Sequence, residues 1–157
     1  MVAIALLITV TVLYAGYNLF VKLAGEHVPS DATTTVLATV CIQIAALLTS
    51  SVVLGLLALK GGQVFSLSTG SYLWAAVAGL CIGGAEIGYL YLFGGIGIDK
   101  PMAASVAIPT IVSGTIVITL IFSQVVLNET IAWNQILGSI LIATGVVLLF
   151  LKTPQTA

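Results

Sequence analysis

The chain has 157 residues, of which 60% are hydrophobic and only 6% are charged. About a quarter of the residues in a soluble domain are charged, because water must wet its surface, so this composition excludes an ordinary water-soluble domain. Four lysines, no arginine and a formal net charge of −1 exclude a basic nucleic-acid-binding surface. We therefore expect no nucleic-acid partner and a chain that is solvated mainly by lipid.

Five apolar runs follow one another along the chain. They predict spans at residues 2–24, 31–59, 71–95, 101–127 and 131–151, with a polar tail at 153–157. Each run approaches or exceeds the roughly 20 residues with which a helix crosses the hydrocarbon, and open strands cannot satisfy their backbone in lipid. The predicted fold class is an all-α membrane protein with five transmembrane helices. Pro101 is expected in the first turn of the fourth helix, where its missing N–H is tolerated.

The first span carries a polar stripe. Thr11, Tyr14, Asn18 and Lys22 are spaced three, four and four residues apart, which places them on one helix face. We expect this face to look into the protein. Three interpretations of Lys22 remain open: it snorkels to the membrane interface, pairs with Glu86, or contacts an anionic group of a substrate.

The second and fourth spans carry similar stripes. Their members, each four residues apart, are Thr35, Thr39 and Gln43 in one span and Ser105, Pro109 and Ser113 in the other. Pro109 lacks the N–H that would reach the carbonyl of Ser105. The freed carbonyl is predicted to line a cavity, with a kink stabilised by packing as the alternative. Together the stripes suggest a hydrated path through the protein.

Glu86 lies deep in the third span, among glycines 79, 83, 84 and 88. An ionisable side chain inside a span is costly and is a functional hypothesis by default. Burial favours the neutral form of a carboxylic acid, so Glu86 is a candidate for proton exchange. A cation at Glu86, or a structural hydrogen bond to another helix, are the alternatives.

Four tyrosines lie deep in the spans, at positions 14, 17, 89 and 91. They either line a pocket or pack in the core with a satisfied hydroxyl, and we include Tyr14 and Tyr89 among the candidate site residues. Cys41 and Cys81 lie in apolar runs without further ligands at metal-binding spacing, so no metal site is expected.

No arrangement of an enzyme active site is recognisable. No Ser/His or paired acidic arrangement converges, and the single histidine, His27, is predicted to lie in a solvated turn beside Glu26. The sequence also lacks the G-x-x-x-x-G-K-[ST] motif with which a nucleotide would be bound. We therefore expect a non-enzymatic protein without a cofactor.

Motifs at both ends of the chain resemble a known family. They are Tyr17-Asn18-Leu19-Phe20-Val21-Lys22-Leu23-Ala24, Ser113-Gly114-Thr115-Ile116-Val117-Ile118, Glu129-Thr130, Gln135-Ile136-Leu137-Gly138 and Leu141-Ile142-Ala143-Thr144-Gly145-Val146. The acidic turn before a last helix of the form L-G-x-x-L-I-x-x-G-V resembles an EamA-like five-helix repeat of the drug/metabolite transporter superfamily. That resemblance implies half of a ten-helix inverted-repeat transporter, completed by a second copy of the chain.

The small multidrug resistance proteins are distant relatives in that superfamily and work as antiparallel dimers. Their last helix dimerises through two glycines seven residues apart, which match Gly138 and Gly145. The resemblance is incomplete, because Tyr14 stands where those proteins have an essential glutamate. Pro109 and Val112 also stand near their substrate-stacking aromatic residues. Export of flat aromatic cations is therefore not expected, and Glu86 would have to supply the coupling carboxylate.

The sequence as a whole favours a secondary active transporter in the cell membrane. We expect a proton-coupled exporter or exchanger of a small polar or amphipathic metabolite or cation, working as an inverted homodimer with a site near the midplane. A non-transporting membrane subunit that packs against a partner protein is the alternative. One side of the membrane would hold Lys60 and the chain's amine, and the other Lys100 and Lys152, plus Lys22 if it lies outside the core. This is a very weak positive-inside bias, so a dual and a fixed topology are both open.

Overall fold

The computed structural model describes residues 2–29, 31–62 and 66–151, with the side chain of Leu151 excepted. Within these residues it contains five helices and no strand. The helices are α1 (Val2–His27), α2 (Ala32–Leu59), α3 (Thr69–Gly94), α4 (Ala104–Val125) and α5 (Trp133–Leu151). All five are long and apolar enough to cross a membrane, which confirms the predicted fold class. Lys152 and the predicted polar tail lie outside the described residues.

The helices form two compact units. The first unit covers residues 1–101 with α1, α2 and α3, and the second covers residues 102–157 with α4 and α5. In the first unit α3 packs against both α1 and α2, and in the second α4 packs against α5.

Helices α1 and α3 approach each other closely near their C-terminal ends, at Gly25. A Cβ atom placed on Gly25 would lie 2.9 Å from the Cβ of Phe93, so only glycine permits this approach. Val21, Leu90 and Phe93 around it are each at most 3% exposed. Because the C-terminal ends meet, α1 and α3 run in the same direction.

The last turn of α1 was predicted to be a loop, and this prediction is wrong. Helix α1 continues through Gly25 and Glu26 to His27. Lys22 Nζ and Glu26 Oε1 form an ion pair at 2.5 Å across one turn, and His27 Nδ1 lies 2.8 Å from the carbonyl oxygen of Leu23. Pairs four residues apart stabilise a helix, so these contacts extend α1 by three residues.

Helix α2 begins at a side-chain cap. The carboxylate of Asp31 accepts hydrogen bonds from the backbone N–H groups of Thr33 and Thr34 and from the Thr34 hydroxyl, which satisfies amides that have no partner inside the helix. The bonds from Thr34 come first among the causes that lower the pKa of Asp31 below its usual value.

Helix α3 ends at Gly94, and Gly95 is the residue that caps it. Gly95 adopts the left-handed conformation, with φ of 73°, which glycine enters without steric penalty. Pro101 packs against it, since a Cβ on Gly95 would lie 3.0 Å from ring carbons of Pro101. The prediction that Pro101 occupies the first turn of the fourth helix is therefore wrong: α4 begins at Ala104, after the extended residue Ala103.

The turn between α4 and α5 is longer than predicted on both sides. Helix α4 ends at Val125, and Asn128 adopts a left-handed φ of 53°. The side chain of Gln135 accepts a hydrogen bond from the backbone N–H of Ala132 at 2.7 Å, so α5 begins at Trp133 and not at Ile131.

Candidate functional site

A groove of about 410 Å³ lies between the three helices of the first unit. Its lining residues are Leu13, Tyr14 and Tyr17 of α1, Ile42, Ala45, Ala46 and Thr49 of α2, and Ile82 and Glu86 of α3. The volume falls within the range of small-molecule sites, about 300–1,000 Å³. The groove is mostly apolar and carries few polar groups, which is the usual composition of a site that binds an amphipathic molecule.

Glu86 is the buried carboxylate of this groove. Its residue is 5% exposed, and among the described residues no group offers Oε2 a hydrogen bond. Glu86 lies about 7 Å beyond the midpoint of α3 along the helix axis, at about 1.5 Å per residue. A buried carboxylate without a partner is unfavourable, so a ligand that brings a hydrogen-bond donor to Oε2 would be stabilised at this position.

Tyr17 stands beside Glu86 and was not among the predicted site residues. Its hydroxyl is buried and no group in the described part of the chain meets strict hydrogen-bond geometry with it, but it is close enough to the Glu86 carboxylate to interact with it through charge and its O–H. Its ring packs edge-on against Tyr14 and Tyr89, with ring centroids 6.4 Å apart in both pairs. Such edge-to-face contacts fix the position of a ring, so the Tyr17 hydroxyl is held at the groove.

The aromatic contacts continue from Tyr89 toward the C-terminal ends of α1 and α3. The rings of Tyr89 and Phe93 are 5.6 Å apart, and Lys22 Nζ lies 5.7 Å from the centre of the Phe93 ring. Lys22 pairs with Glu26. The structure therefore does not show the ion pair between Lys22 and Glu86 that was one of the interpretations left open for Lys22.

The other predicted polar residues of the first unit lie outside the groove lining. Asn18, Thr35, Thr39 and Tyr89 are buried. Gln43 lies where α2 crosses α3, since a Cβ on Gly83 would meet its Nε2 at 3.0 Å. The prediction that the whole α1 stripe faces inward is wrong at its N-terminal end, because Thr11 is exposed and donates its hydroxyl hydrogen to Leu7. Tyr14, the next residue of the stripe, lines the groove and is 60% exposed.

Pro109 and Ser113 belong to the second unit. Pro109 lies inside α4, and Thr110 donates a hydrogen bond of 2.6 Å to the Val106 carbonyl in the same stretch of the helix. Ser113 is buried and lines a groove of about 340 Å³ between α4 and α5, together with Gly114 and residues of α5.

The two candidate dimerisation glycines lie on α5. Cβ atoms placed at Gly138 and Gly145 would meet no atom within 4 Å among the described residues. The backbone is therefore uncovered at two points seven residues apart, which is about two helical turns.

Two polar residues of the groove, Tyr17 and Thr49, were missed from the sequence. Tyr17 was recognised as a deep tyrosine, but it lies off the polar stripe from which α1 candidates were chosen. It could have been found from its position three residues after Tyr14, on an adjoining part of the helix face. Thr49 carries no comparable signal, because its hydroxyl donates to the Ala45 carbonyl at 2.9 Å, as exposed threonines elsewhere in these helices do.

Five helices long and apolar enough to span a membrane characterise a multi-pass membrane protein, and a carboxylate buried within one of them is the kind of group that marks a functional site there. The chain belongs to the EamA-like transporter family, whose model matches residues 1–151. This match confirms the resemblance to the drug/metabolite transporter superfamily and points to a non-enzymatic membrane transporter. Neither a curated protein nor a solved structure matches the chain.

Proposed function

We propose that this chain is a secondary active transporter of the cell membrane. It acts as a proton-coupled exporter or exchanger of a small polar or amphipathic metabolite or cation, and it works as an inverted homodimer. The observation that carries the proposal is Glu86, whose buried Oε2 has no hydrogen-bond partner among the described residues and lines an apolar groove.

Coupling follows from the two ways in which a buried carboxylate can be neutralised. Glu86 carries a proton when the groove is empty and releases it when a cationic or donor-bearing substrate binds in its place, because a bare charge is unfavourable there. Proton and substrate then compete for one group. Such competition links their movements in opposite directions without a nucleotide.

The proposed dimer contact is the face of α5 that carries Gly138 and Gly145. Helices in lipid associate through small residues that let two backbones approach closely, and both glycines are uncovered among the described residues. Their spacing of seven residues repeats the contact face of two helices that pack at a small angle.

The coupling role is tested with the purified full-length chain in proteoliposomes. We expect Glu86→Gln to abolish substrate flux driven by a pH gradient and the proton movement that substrate addition causes. The matched control is Glu129→Gln, which removes the same charge from the exposed turn between α4 and α5 and should leave both signals unchanged. Undiminished proton-coupled flux in a folded Glu86→Gln protein would refute the role of Glu86.

The dimer is tested separately by crosslinking. Gly138→Leu and Gly145→Leu should weaken self-association, because a large side chain separates the two backbones. Gly55→Leu on the exposed side of α2 is the control, since a Cβ there also meets no described atom within 4 Å. Accessibility labelling of both termini then reports topology, and a single fixed orientation would remove the inverted arrangement while leaving the Glu86 result standing.

A further inference from the structure

We infer that the groove between α1, α2 and α3 binds the protonated head of a small amphipathic primary amine, one molecule per chain. The inference rests on the proposed transport function and names the substrate class of its site. It also states that one chain supplies the whole head-group site, from α1 and α3 of the same unit.

The head group is identified by two oxygen atoms that lack partners. Glu86 Oε2 and Tyr17 Oη are both buried, and neither has a hydrogen-bond partner in the described residues. An ionised carboxylate only accepts hydrogen bonds, and a phenol oxygen accepts as well as donates. A ligand that satisfies both atoms as acceptors must bring at least two donors and, beside the carboxylate, a positive charge. A protonated primary amine brings three N–H donors and that charge.

Other head groups fit these two atoms less well. A quaternary ammonium carries the charge but has no N–H, so it offers a hydrogen bond to neither oxygen. The Tyr17 hydroxyl can then donate only to Glu86, and its own oxygen stays without a donor in a buried site, which is unfavourable. A carboxylate or phosphate would place a second negative charge against Glu86. An alcohol supplies one donor and no charge. The pair Glu86 and Tyr17 therefore selects for N–H donors as well as for positive charge.

The remainder of the groove identifies the body of the ligand. Its other walls are mainly aliphatic, formed by Leu13, Ile42, Ala45, Ala46 and Ile82. Along α2 the lining extends from Ile42 to Thr49, seven helical positions or about 10 Å. An unbranched chain of about six carbons lies within that length and removes its methylenes from water against these walls.

Tyr17 provides the sharpest test, because its oxygen distinguishes an amine from a quaternary ammonium. The probes are hexylamine, hexyltrimethylammonium, hexanol and hexanoate, titrated calorimetrically at neutral pH into the full-length protein in detergent, with protein-free micelles as the blank. We expect hexylamine to bind with one molecule per chain, hexyltrimethylammonium and hexanol about tenfold more weakly or worse, and hexanoate not at all.

The variants separate charge from hydrogen bonding. Glu86→Gln should weaken hexylamine binding by about tenfold to a hundredfold, the range for a hydrogen bond to a charged group. Tyr17→Phe should weaken hexylamine binding alone and so reduce the preference for hexylamine over hexyltrimethylammonium. Tyr72→Phe, at an exposed tyrosine in the first turns of α3, and Glu129→Gln are the matched controls and should bind as the wild type does.

Several results would overturn the inference: equal affinity for the amine and the quaternary ammonium, an unchanged affinity in Glu86→Gln, or an equal loss for both cations in Tyr17→Phe. Monodispersity and an unaltered melting temperature establish that a variant is folded. If Glu86→Gln does not fold, Glu86→Asp, which keeps the charge, is used in its place. Amine binding without flux in proteoliposomes would refute the transport proposal and leave the site standing. Proton-coupled flux of another solute without amine binding would do the reverse.

Discussion

The close approach of α1 to α3 at Gly25 makes a prediction about stability. In Gly25→Ala the new Cβ would lie 2.9 Å from Phe93 Cβ, 3.4 Å from its carbonyl carbon and 3.5 Å from the Gly94 nitrogen. Carbon atoms prefer separations of about 3.5–4.0 Å, so the helices must separate by roughly 0.6–1 Å there. The atoms in the way are backbone atoms and a Cβ, which cannot rotate aside.

The expected magnitude combines two opposing effects. Overpacking of this kind destabilises by about 1–3 kcal/mol, whereas alanine is favoured over glycine inside a helix by about 1 kcal/mol. Gly84→Ala isolates the second effect, since its Cβ meets no described atom within 4 Å. The free energy of unfolding of Gly25→Ala should therefore lie about 1–3 kcal/mol below that of Gly84→Ala.

The assay is equilibrium unfolding in mixed micelles with increasing sodium dodecyl sulfate, followed by the helical circular dichroism signal. Gly16→Ala in α1 is a second control, because its Cβ makes only an ordinary contact of 3.8 Å with Phe20. If Gly25→Ala were as stable as both controls, the close contact with Phe93 would not be a feature of the folded protein.

Two further predictions concern the ends of helices. Gly95→Ala should destabilise the protein more than Gly97→Ala in the same unfolding assay, because both glycines have φ of 73° but only Gly95 is packed against Pro101; overpacking predicts a difference of about 1 kcal/mol or more, and equal losses would contradict it. The pKa of Asp31 is lowered, first by the hydrogen bonds from Thr34. The ionised cap therefore stabilises the fold at pH values above 3.8, the carboxyl's ordinary pKa. This stabilisation is lost as the pH falls through the lower pKa of the folded state. Asp31→Asn still caps the helix but does not titrate, so the difference in stability between wild type and variant should change with pH only in this acidic window, and a constant difference would refute the assignment.

The number and approximate position of the helices could be predicted from hydropathy alone, because a span needs little more than length and apolar composition. Their ends could not, since packing and side-chain contacts set them. Pro101 has the sequence signal of a first-turn proline, but it packs on Gly95 and α4 begins three residues later. Gly95 and Pro101 are six positions apart and meet only because of the geometry of the turn between them. That geometry cannot be predicted from the sequence.

One misplaced helix end also affected the interpretation of the site. Ending the first span at Ala24 placed Glu26 in a loop and left Lys22 without a neighbour on its own helix. Lys22 and Glu26 are four residues apart, a spacing at which opposite charges pair on a helix. The pair is recognisable from the sequence once α1 is extended to His27. Glu86 could be selected because an acid inside a span is rare. Tyr17 could not, because a buried hydroxyl without a partner is a property of packing.

The position of Glu86 along α3 sets the spacing of carboxylates in the proposed inverted pair. With α3 centred in the bilayer, each Glu86 lies about 7 Å from the midplane on its own side. Two oppositely inserted copies would then hold their carboxylates about 14 Å apart along the membrane normal. At that distance one ligand head group contacts one carboxylate at a time. A substrate would bind first to the Glu86 carboxylate of one copy and then to that of the other. Each Glu86 would release its proton when the substrate binds and regain it when the substrate leaves.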